Sequence, residues 1–316
     1  MADGCATAQG MLDYRYHALS LAAVLLALAV GVVIGVAIGD SNLVSSAKNG
    51  IVHDLSSEVD AARRQADQLR TQLSAEQAFS DDLYPIAVHG LLAGRSIGLV
   101  FFGVASDRVD GFVRSAVTQA GGDLTTVVAM REPLDPGMLA RESGSGAFSG
   151  LAADRSRAGQ ALTGRFGVIV GRQLVSGGVL IDRELVSRVR AGLFSAFDGQ
   201  LSRLDGLVVM RTEPPAMSSE QRSYVAALQA GLIDGAADVG VPLVGVELTS
   251  TQPSQVPWYQ AQNMSSVDDL QATAGQAALA YALEGSHGAF GTKPSADSLL
   301  PDVTARLPLS PAASGP

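Results

Sequence analysis

Residues 18–38 form an uninterrupted apolar run, ALSLAAVLLALAVGVVIGVAI, which follows an N-terminal tail at 1–17. The run carries no charge, and Ser20 is its only polar side chain. As an α-helix its 21 residues extend about 31 Å, the thickness of the hydrocarbon core of a bilayer. The pattern therefore predicts a transmembrane helix. Cleavage as a signal peptide near Ala37 is the alternative, but the length of the run favours a retained anchor.

Glycines recur every fourth residue at the end of this run, at Gly31, Gly35 and Gly39. This spacing places them on one helix face, where the backbones of two helices can approach closely. The glycines therefore predict a dimer contact inside the membrane. The alternative is that they mark no contact, because glycine is common in membrane helices.

A second pattern, of heptad type, covers residues 51–83. Its apolar positions alternate steps of three and four residues and are separated by charged and amide side chains: Val52, Leu55, Val59, Ala62, Ala66, Leu69 and Leu73. Pro85 is expected to end this helix. The spacing predicts a coiled coil and, together with the glycines, a parallel homodimer. A single amphipathic helix that lies on the protein's own body is the alternative.

Buried-type strands alternate with amphipathic helices beyond residue 95. The predicted strands are 96–105, 125–130, 166–171, 206–210 and 242–248, and the predicted helices are 107–120, 151–163, 183–197, 218–237 and 266–284. This alternation predicts a Rossmann-like, doubly wound parallel sheet in one α/β domain at 95–290. A flexible tail rich in proline and alanine is expected at 295–316.

The composition bears on partners and on metal chemistry. A net charge of −9 with 5% aromatic residues is unlike a nucleic-acid-binding protein. The single cysteine, Cys5, excludes an intrachain disulfide and a cysteine-based zinc site. The histidines lie far apart in sequence, so that only a spatial convergence of His89 and His287 leaves a metal site open.

Sequence motifs for catalysis or cofactor binding are not found. The first strand ends FFGVASD, without the glycine-rich phosphate loop that a dinucleotide site needs there. The chain has no P-loop, no G-x-S-x-G elbow and no H-E-x-x-H motif. We therefore expect a protein that is not an enzyme, with no identified cofactor; a cryptic active site in the cleft of the α/β sheet is the alternative.

Two short stretches outside these motifs also invite interpretation. Trp258 and Tyr259 lie in a predicted loop and are candidate partner contacts, because exposed aromatic residues concentrate interface energy. Packing within the loop or core is the alternative. Asp268 and Asp269 are predicted to lie in the first turn of a helix, where acidic side chains favour the helix dipole.

Both ends of the chain resemble one known family. The N-terminal YRYHALSLAAVLLALAVGVVIG and the C-terminal NMSSVDDLQATAGQAALAYALEGSHGAFGTKPSADSLLP are similar to the mycobacterial copper transport protein B family of actinobacterial envelope proteins. The C-terminal run follows that family's pattern of VD, G, AL, AL, G, a tyrosine or phenylalanine before G, K and LLP. Phe290 stands where family members often have tyrosine.

The resemblance implies a single-pass anchor, a coiled coil and an α/β body on the extracytoplasmic side. It thereby supplies the orientation that Arg15 and Lys48, one charge on each side of the run, leave undecided. The family name implies copper efflux or copper homeostasis, with copper as a possible ligand by resemblance alone. Family relatives also act as envelope scaffolds with a membrane partner, linked to cell division and control of wall hydrolases. A dimeric, anchored scaffold is the function we expect, and copper handling is the alternative.

Overall fold

We determined the architecture from a computed structural model, which describes residues 10–39, 41–134, 157–177, 192–212 and 216–302. The side chains of residues 10–13, 38, 41–54 and 157–158 are outside this description. Three predicted segments also lie wholly or partly outside the described residues. They are most of the N-terminal tail, the predicted helix at 183–197 up to residue 191, and the predicted tail beyond residue 302. The chain divides into two compact units, Met1–Ala75 and Glu76–Pro316.

Helix α1 (Gly10–Ile38) contains the apolar run. Its segment Tyr14–Ala37 has a mean hydropathy of 2.8, and none of it is buried. A helix of 24 residues with this composition is long and apolar enough to cross a membrane. The prediction of an apolar helix at this position is confirmed.

Helix α2 (Ser41–Val88) follows after a short break. Pro85 lies inside this helix, so the prediction that it ends the helix is wrong. A proline lacks one N–H donor, but its fixed φ is helical, and here three residues continue the helix beyond it.

The second unit contains a seven-stranded sheet in its described part. The strands are β1 (Ser96–Phe102), β2 (Asp123–Met130), β3 (Phe194–Gly199), β4 (Gly206–Arg211), β5 (Leu243–Val246), β6 (Ser265–Val267) and β7 (Ala289–Phe290). Their order is β3-β2-β1-β4-β5-β6-β7. Among the seven described strands, only the β2–β3 pair is antiparallel, so the predicted α/β body has a mostly parallel sheet.

Helices pack on both faces of this sheet: α3 (Asp107–Gln119), α4 (Arg157–Ser176), α5 (Ser219–Ala237), α6 (Val256–Ala261) and α7 (Thr273–Glu284). Successive residues of β1 point to opposite faces, so that Phe101 packs with α3 and α7, and Phe102 packs with α4, α5 and α6. The predicted helix at 218–237 is confirmed. It begins with a capping box in which the Ser218 hydroxyl accepts from the Gln221 amide at 3.2 Å.

One predicted strand and two predicted helices of the second unit are wrong in part or in full. Residues 166–171 lie inside α4 and not in a strand, because a short apolar run does not distinguish a strand from a buried helix. Gly167 and Gly171 of that run leave room for the backbone of α5, which packs closely against α4. The predicted helix at 266–284 begins only at Thr273, since 265–267 form β6, and residues 194–197 of the predicted helix at 183–197 belong to β3.

Candidate functional site

The apolar heptad positions of α2 are open to solvent in the first unit. Leu55, Leu69 and Leu73 are each 57–59% exposed, and Val59 is 40% exposed. Ala62 is also exposed, and Ala66 is partly buried. The side chain of Val52 lies outside the described residues. A stripe of large apolar side chains in water is unfavourable by about 25 cal/mol for each Å² of apolar surface.

The predicted glycine face of α1 is also open. A Cβ at Gly31 or Gly35 would meet no other atom within 4 Å. Gly39 lies one residue beyond the end of the helix, and its amide donates to the carbonyl of Gly35 at 2.8 Å. Gly31 and Gly35 are therefore inside the helix, and Gly39 continues the spacing at its end.

In the second unit, the carboxyl edge of the sheet carries one charged side chain at the end of each of four parallel strands. Glu132 follows β2, Arg211 ends β4, Glu247 follows β5 and Asp268 follows β6. Ligands of open α/β sheets bind at this edge, where the direction of the chain connections reverses. We call these four residues and the side chains that join them the edge network.

Glu132 is the member of the edge network that lines a cleft of about 510 Å³, beyond the ends of β1, β2 and β4. Its Oε1 accepts from the Nε2 of Gln229 at 2.6 Å, while its Oε2 is buried without a partner among the described residues. Burial raises the pKa of the Glu132 carboxyl, and the Gln229 hydrogen bond and the nearby Arg211 charge oppose that rise.

Arg211 occupies the centre of the edge network. Its Nε donates to Oε1 of Gln229 at 3.2 Å, and its Nη1 donates to Oε1 of Gln255. The guanidinium carbon lies 5.0 Å from the ring centroid of Trp258, within the range of a cation–π contact. Arg211 is therefore held on two sides by amides and on a third by an indole ring.

Trp258 and Tyr259 lie in α6, a short helix where a loop was expected. Tyr259 is 0% exposed, its hydroxyl donates to the Val246 carbonyl at 3.0 Å, and burial raises its pKa. Tyr259 was expected to contact a partner, but its ring is buried in the core and is not accessible to one. Trp258 is partly buried and packs edge-on against Phe102 at 5.9 Å, so its partner role stays a prediction.

Glu247 and Lys293 form the buried ion pair of the edge network. The Nζ of Lys293 lies 2.5 Å from Oε1 of Glu247, and the side chains are 9% and 0% exposed. Glu247 also accepts from the Ser254 hydroxyl at 2.8 Å and from the Gln255 amide at 2.5 Å. These contacts satisfy the buried carboxylate, as an ion pair in a protein interior requires.

Asp268 forms hydrogen bonds with the turn that follows β7. Its carboxylate accepts from the amides of Thr292 at 2.8 Å and Lys293 at 3.0 Å. Gly291 has a φ of +140°, and a Cβ there would overlap Oδ1 of Asp268. The residues of the C-terminal sequence motif thus hold the last strand onto the sheet.

Asp269 is 2% exposed, and neither carboxyl oxygen has a hydrogen-bond partner among the described residues. Burial, with the neighbouring Asp268 as a second cause, raises its pKa to about 6. The prediction that Asp268 and Asp269 lie in a first helical turn is wrong. They follow a strand, and α7 begins only at Thr273.

Within the described ranges, no group of three or more histidine, cysteine or acidic side chains is placed to hold a metal ion. This search covers His89 and His287, the two histidines whose convergence the sequence left open.

The fold and these sites define the class: an α/β body with a preceding apolar helix that is long enough to span a membrane. The chain belongs to the family described as "Copper transport outer membrane protein, MctB", whose model matches residues 11–301. The family resemblance of the two ends is thereby confirmed.

Curated relatives match a shorter stretch. The proteins named "Copper transporter MctB" of Mycobacterium tuberculosis and Mycobacterium bovis are each 38% identical over 122 residues, or 39% of this chain. The relative of the same name from Mycobacterium leprae is 36% identical over 122 residues. The matched stretch spans 38% of the length of each relative.

Proposed function

We propose that this chain is a membrane-anchored, dimeric and non-enzymatic scaffold of the cell envelope, whose α/β body recruits a partner protein. The observation that carries the dimer is the exposed heptad stripe of α2, which follows the open glycine face of α1 in the same unit. Family membership supports a place in the envelope.

A second copy of this chain is the occupant that fits the heptad stripe. Alternate steps of three and four residues keep Leu55, Val59, Leu69 and Leu73 on one seam, the geometry by which two helices pack knobs into holes. Anchors in one membrane would bring two copies together in parallel. Their glycine faces would then meet at the same height. The glycine spacing of α1 and the heptad spacing of α2 are independent patterns, and both support a parallel homodimer with a coiled coil in α2.

The body is placed on the extracytoplasmic side in this proposal, with the N-terminus in the cytoplasm. The description of the family as an outer-membrane transport protein supports this orientation. A cysteine at Asp198, an exposed position, in a Cys5→Ser chain should react with a membrane-impermeant maleimide on intact spheroplasts. Labelling only after lysis would reverse the proposed orientation.

The arrangement of the body agrees with a Rossmann-like, doubly wound sheet. Strands β3, β2, β1, β4 and β5 lie in the order of that class, and helices cover both faces, although β3 is antiparallel to β2. In such folds, partners and ligands approach the carboxyl edge. Trp258, beside Arg211 at this edge, is the aromatic residue we propose for partner contact.

The dimer is tested by Gly35→Ile combined with Leu69→Asp. The first change adds a bulky side chain to the helix face, and the second places two carboxylates in an apolar seam, so that crosslinked dimer in isolated membranes should be lost. The matched control is Val33→Ile with Thr71→Asp, two positions on the opposite helix faces. A dimer that survives the first pair of changes contradicts the proposal.

Copper handling is the second candidate function, because the family and its relatives carry copper transport in their names. It predicts that the full chain in detergent binds copper with micromolar or tighter affinity, and that a deletion strain loses copper tolerance. Titration calorimetry without binding heat, together with unchanged tolerance, would reject this candidate.

A further inference from the structure

The cleft beyond β1, β2 and β4 is built from the ends of three neighbouring strands. Met130, Glu132, Ser195 and Thr212 line it, together with the β1–α3 loop at 103–105. Its volume of about 510 Å³ is that of a small-molecule site, for which 300–1,000 Å³ is typical. Val104 stands at its rim and is 80% exposed.

Glu132 gives this cleft an acceptor of fixed orientation. The Gln229 amide donates to Oε1, and Arg211 in turn fixes the Gln229 amide by donating to its oxygen. Oε2 is left buried without a donor among the described residues. Leaving a charged oxygen unpaired in this way is costly, and a donor that reached it would remove that cost. Oε2 lies beside Gly103 of the lining, since a Cβ at Gly103 would be 3.7 Å from it.

The charges around the cleft indicate whether a bound ligand would carry a positive or a negative charge. Helix α3 begins beside it, yet its first turn carries Asp107, which opposes an anion at this helix terminus. Asp110 of the same turn is paired with Arg114 at 3.1 Å. Arg131 is the cation of the lining, and its guanidinium donates to the carbonyl of Phe194 on β3 at 3.2 Å. Arg211 lies near Glu132 and Arg131 lines the cleft, but Oε2 of Glu132 accepts from neither of them. A carboxylate oxygen that lacks a donor favours a cationic ligand.

The side chains that line the cleft indicate the chemistry of the rest of the ligand, beyond its charged group. Val104, Ala105, Met130 and Ala196 offer apolar surface between the rim and Glu132. Gly103, with a φ of +111°, contributes no side chain to the floor. An aliphatic stem fits such walls, as the stems of lysine and arginine do on apolar surfaces.

We propose that the cleft binds a cationic nitrogen group, ammonium or guanidinium, carried on an aliphatic stem, with Oε2 of Glu132 as its acceptor. The ligand is either a free amine or the lysine or arginine side chain of a partner segment. The inference is independent of the proposed dimer, because every residue that it uses lies in the second unit.

Trp258 provides the reporter for the test, since it is the only tryptophan and packs on Arg211 and Phe102 beside the cleft. The full chain in detergent is titrated with agmatine and with capped lysine amide, followed by Trp258 fluorescence. We expect a saturable change with both amines. Capped lysine amide and a lysine-containing peptide are then compared: equal affinity identifies a free amine, and tighter peptide binding identifies a partner segment.

Two variants assign the binding to the cleft. Glu132→Gln keeps the side-chain shape and removes the charge, so affinity should fall at least about tenfold. Ala105→Phe fills the cleft from an exposed loop position and should abolish binding without removing any side chain of the edge network. Asp110→Asn, which removes an acid outside the lining, is the control and should change affinity less than about threefold.

The neutral analogue 1,5-pentanediol separates cation recognition from simple filling of the cleft. Binding of the diol as tight as that of the amines would overturn the proposal, as would unchanged amine affinity in Glu132→Gln or in Ala105→Phe. A titration of the unchanged protein without any saturable signal, by fluorescence and by calorimetry, would overturn it as well.

Discussion

The ammonium nitrogen of Lys293 lies 2.5 Å from Oε1 of Glu247, and both side chains are buried. The same nitrogen donates to the carbonyls of Leu248 at 3.1 Å and Thr251 at 2.9 Å. All three donors of the ammonium group are therefore used. One side chain from the C-terminal motif thus fixes the loop after β5 to the turn after β7.

We expect Lys293→Met to destabilise the second unit strongly. The change keeps most of the stem but leaves the buried Glu247 carboxylate without its cation, a loss of about 3–5 kcal/mol in comparable pairs. Thermal unfolding of the full chain measures the effect. Arg172→Met is the matched control, because Arg172 and Asp238 form an exposed pair worth about 0–1 kcal/mol. Equal losses in both variants would contradict a structural role of the buried pair.

Asp269 makes the stability of the body depend on pH. Its pKa in the folded protein, about 6, exceeds its ordinary value of 3.8, so the protonated form is favoured by folding. The stabilisation is fully present below the ordinary pKa and is lost as the pH rises through about 6. Asp269→Asn cannot ionise and should therefore raise stability near pH ~7.5, on the order of 1–2 kcal/mol, with little effect near pH ~4.

The measurement for Asp269 is the unfolding midpoint as a function of pH, in the variant and the unchanged chain. Asp123→Asn, at an exposed position of β2, is the control for the substitution itself. A stability difference between Asp269→Asn and the unchanged chain that is the same at both pH values would refute the assignment.

Gly291 tests the close approach between the C-terminal turn and Asp268. A Cβ at Gly291 would overlap the Asp268 carboxylate, and the φ of +140° adds backbone strain. Gly285 has a similar φ of +128° but open space around it. Alanine at Gly291 should therefore cost about 2 kcal/mol more than alanine at Gly285, measured by chemical denaturation. Equal costs would mean that the backbone angle alone requires glycine at Gly291.

Strands and helices with long, unambiguous patterns were predictable from the sequence. The capping box at Ser218 and the glycines after α3 marked boundaries that the structure reproduces closely. The short strands β6 and β7 were missed, because two or three residues carry too little periodicity to be recognised. The apolar run at 166–171 was assigned to a strand because its pattern alone does not reveal the close packing of α4 on α5, which depends on glycines of both helices.

The edge network was not predicted, although part of its signal was present. Glu132, Arg211, Glu247 and Asp268 each stand at or just after the end of a strand, and such ends meet at one edge of a parallel sheet. Asp268 was read as a helix residue because β6 is so short. The contribution of Lys293 could not be inferred, because only the folded chain brings it next to Glu247 across 46 residues.

The measurement that tests the scaffold account most directly is cysteine crosslinking along α2 in membranes, in a Cys5→Ser chain. Single cysteines between positions 62 and 73 are oxidised, and the dimer yield is plotted against position. A parallel coiled coil predicts maxima at Ala62, Ala66, Leu69 and Leu73 and a minimum at Thr71, on the opposite face. Equal yields at Leu69 and Thr71, or no dimer at any position, would contradict the dimeric scaffold.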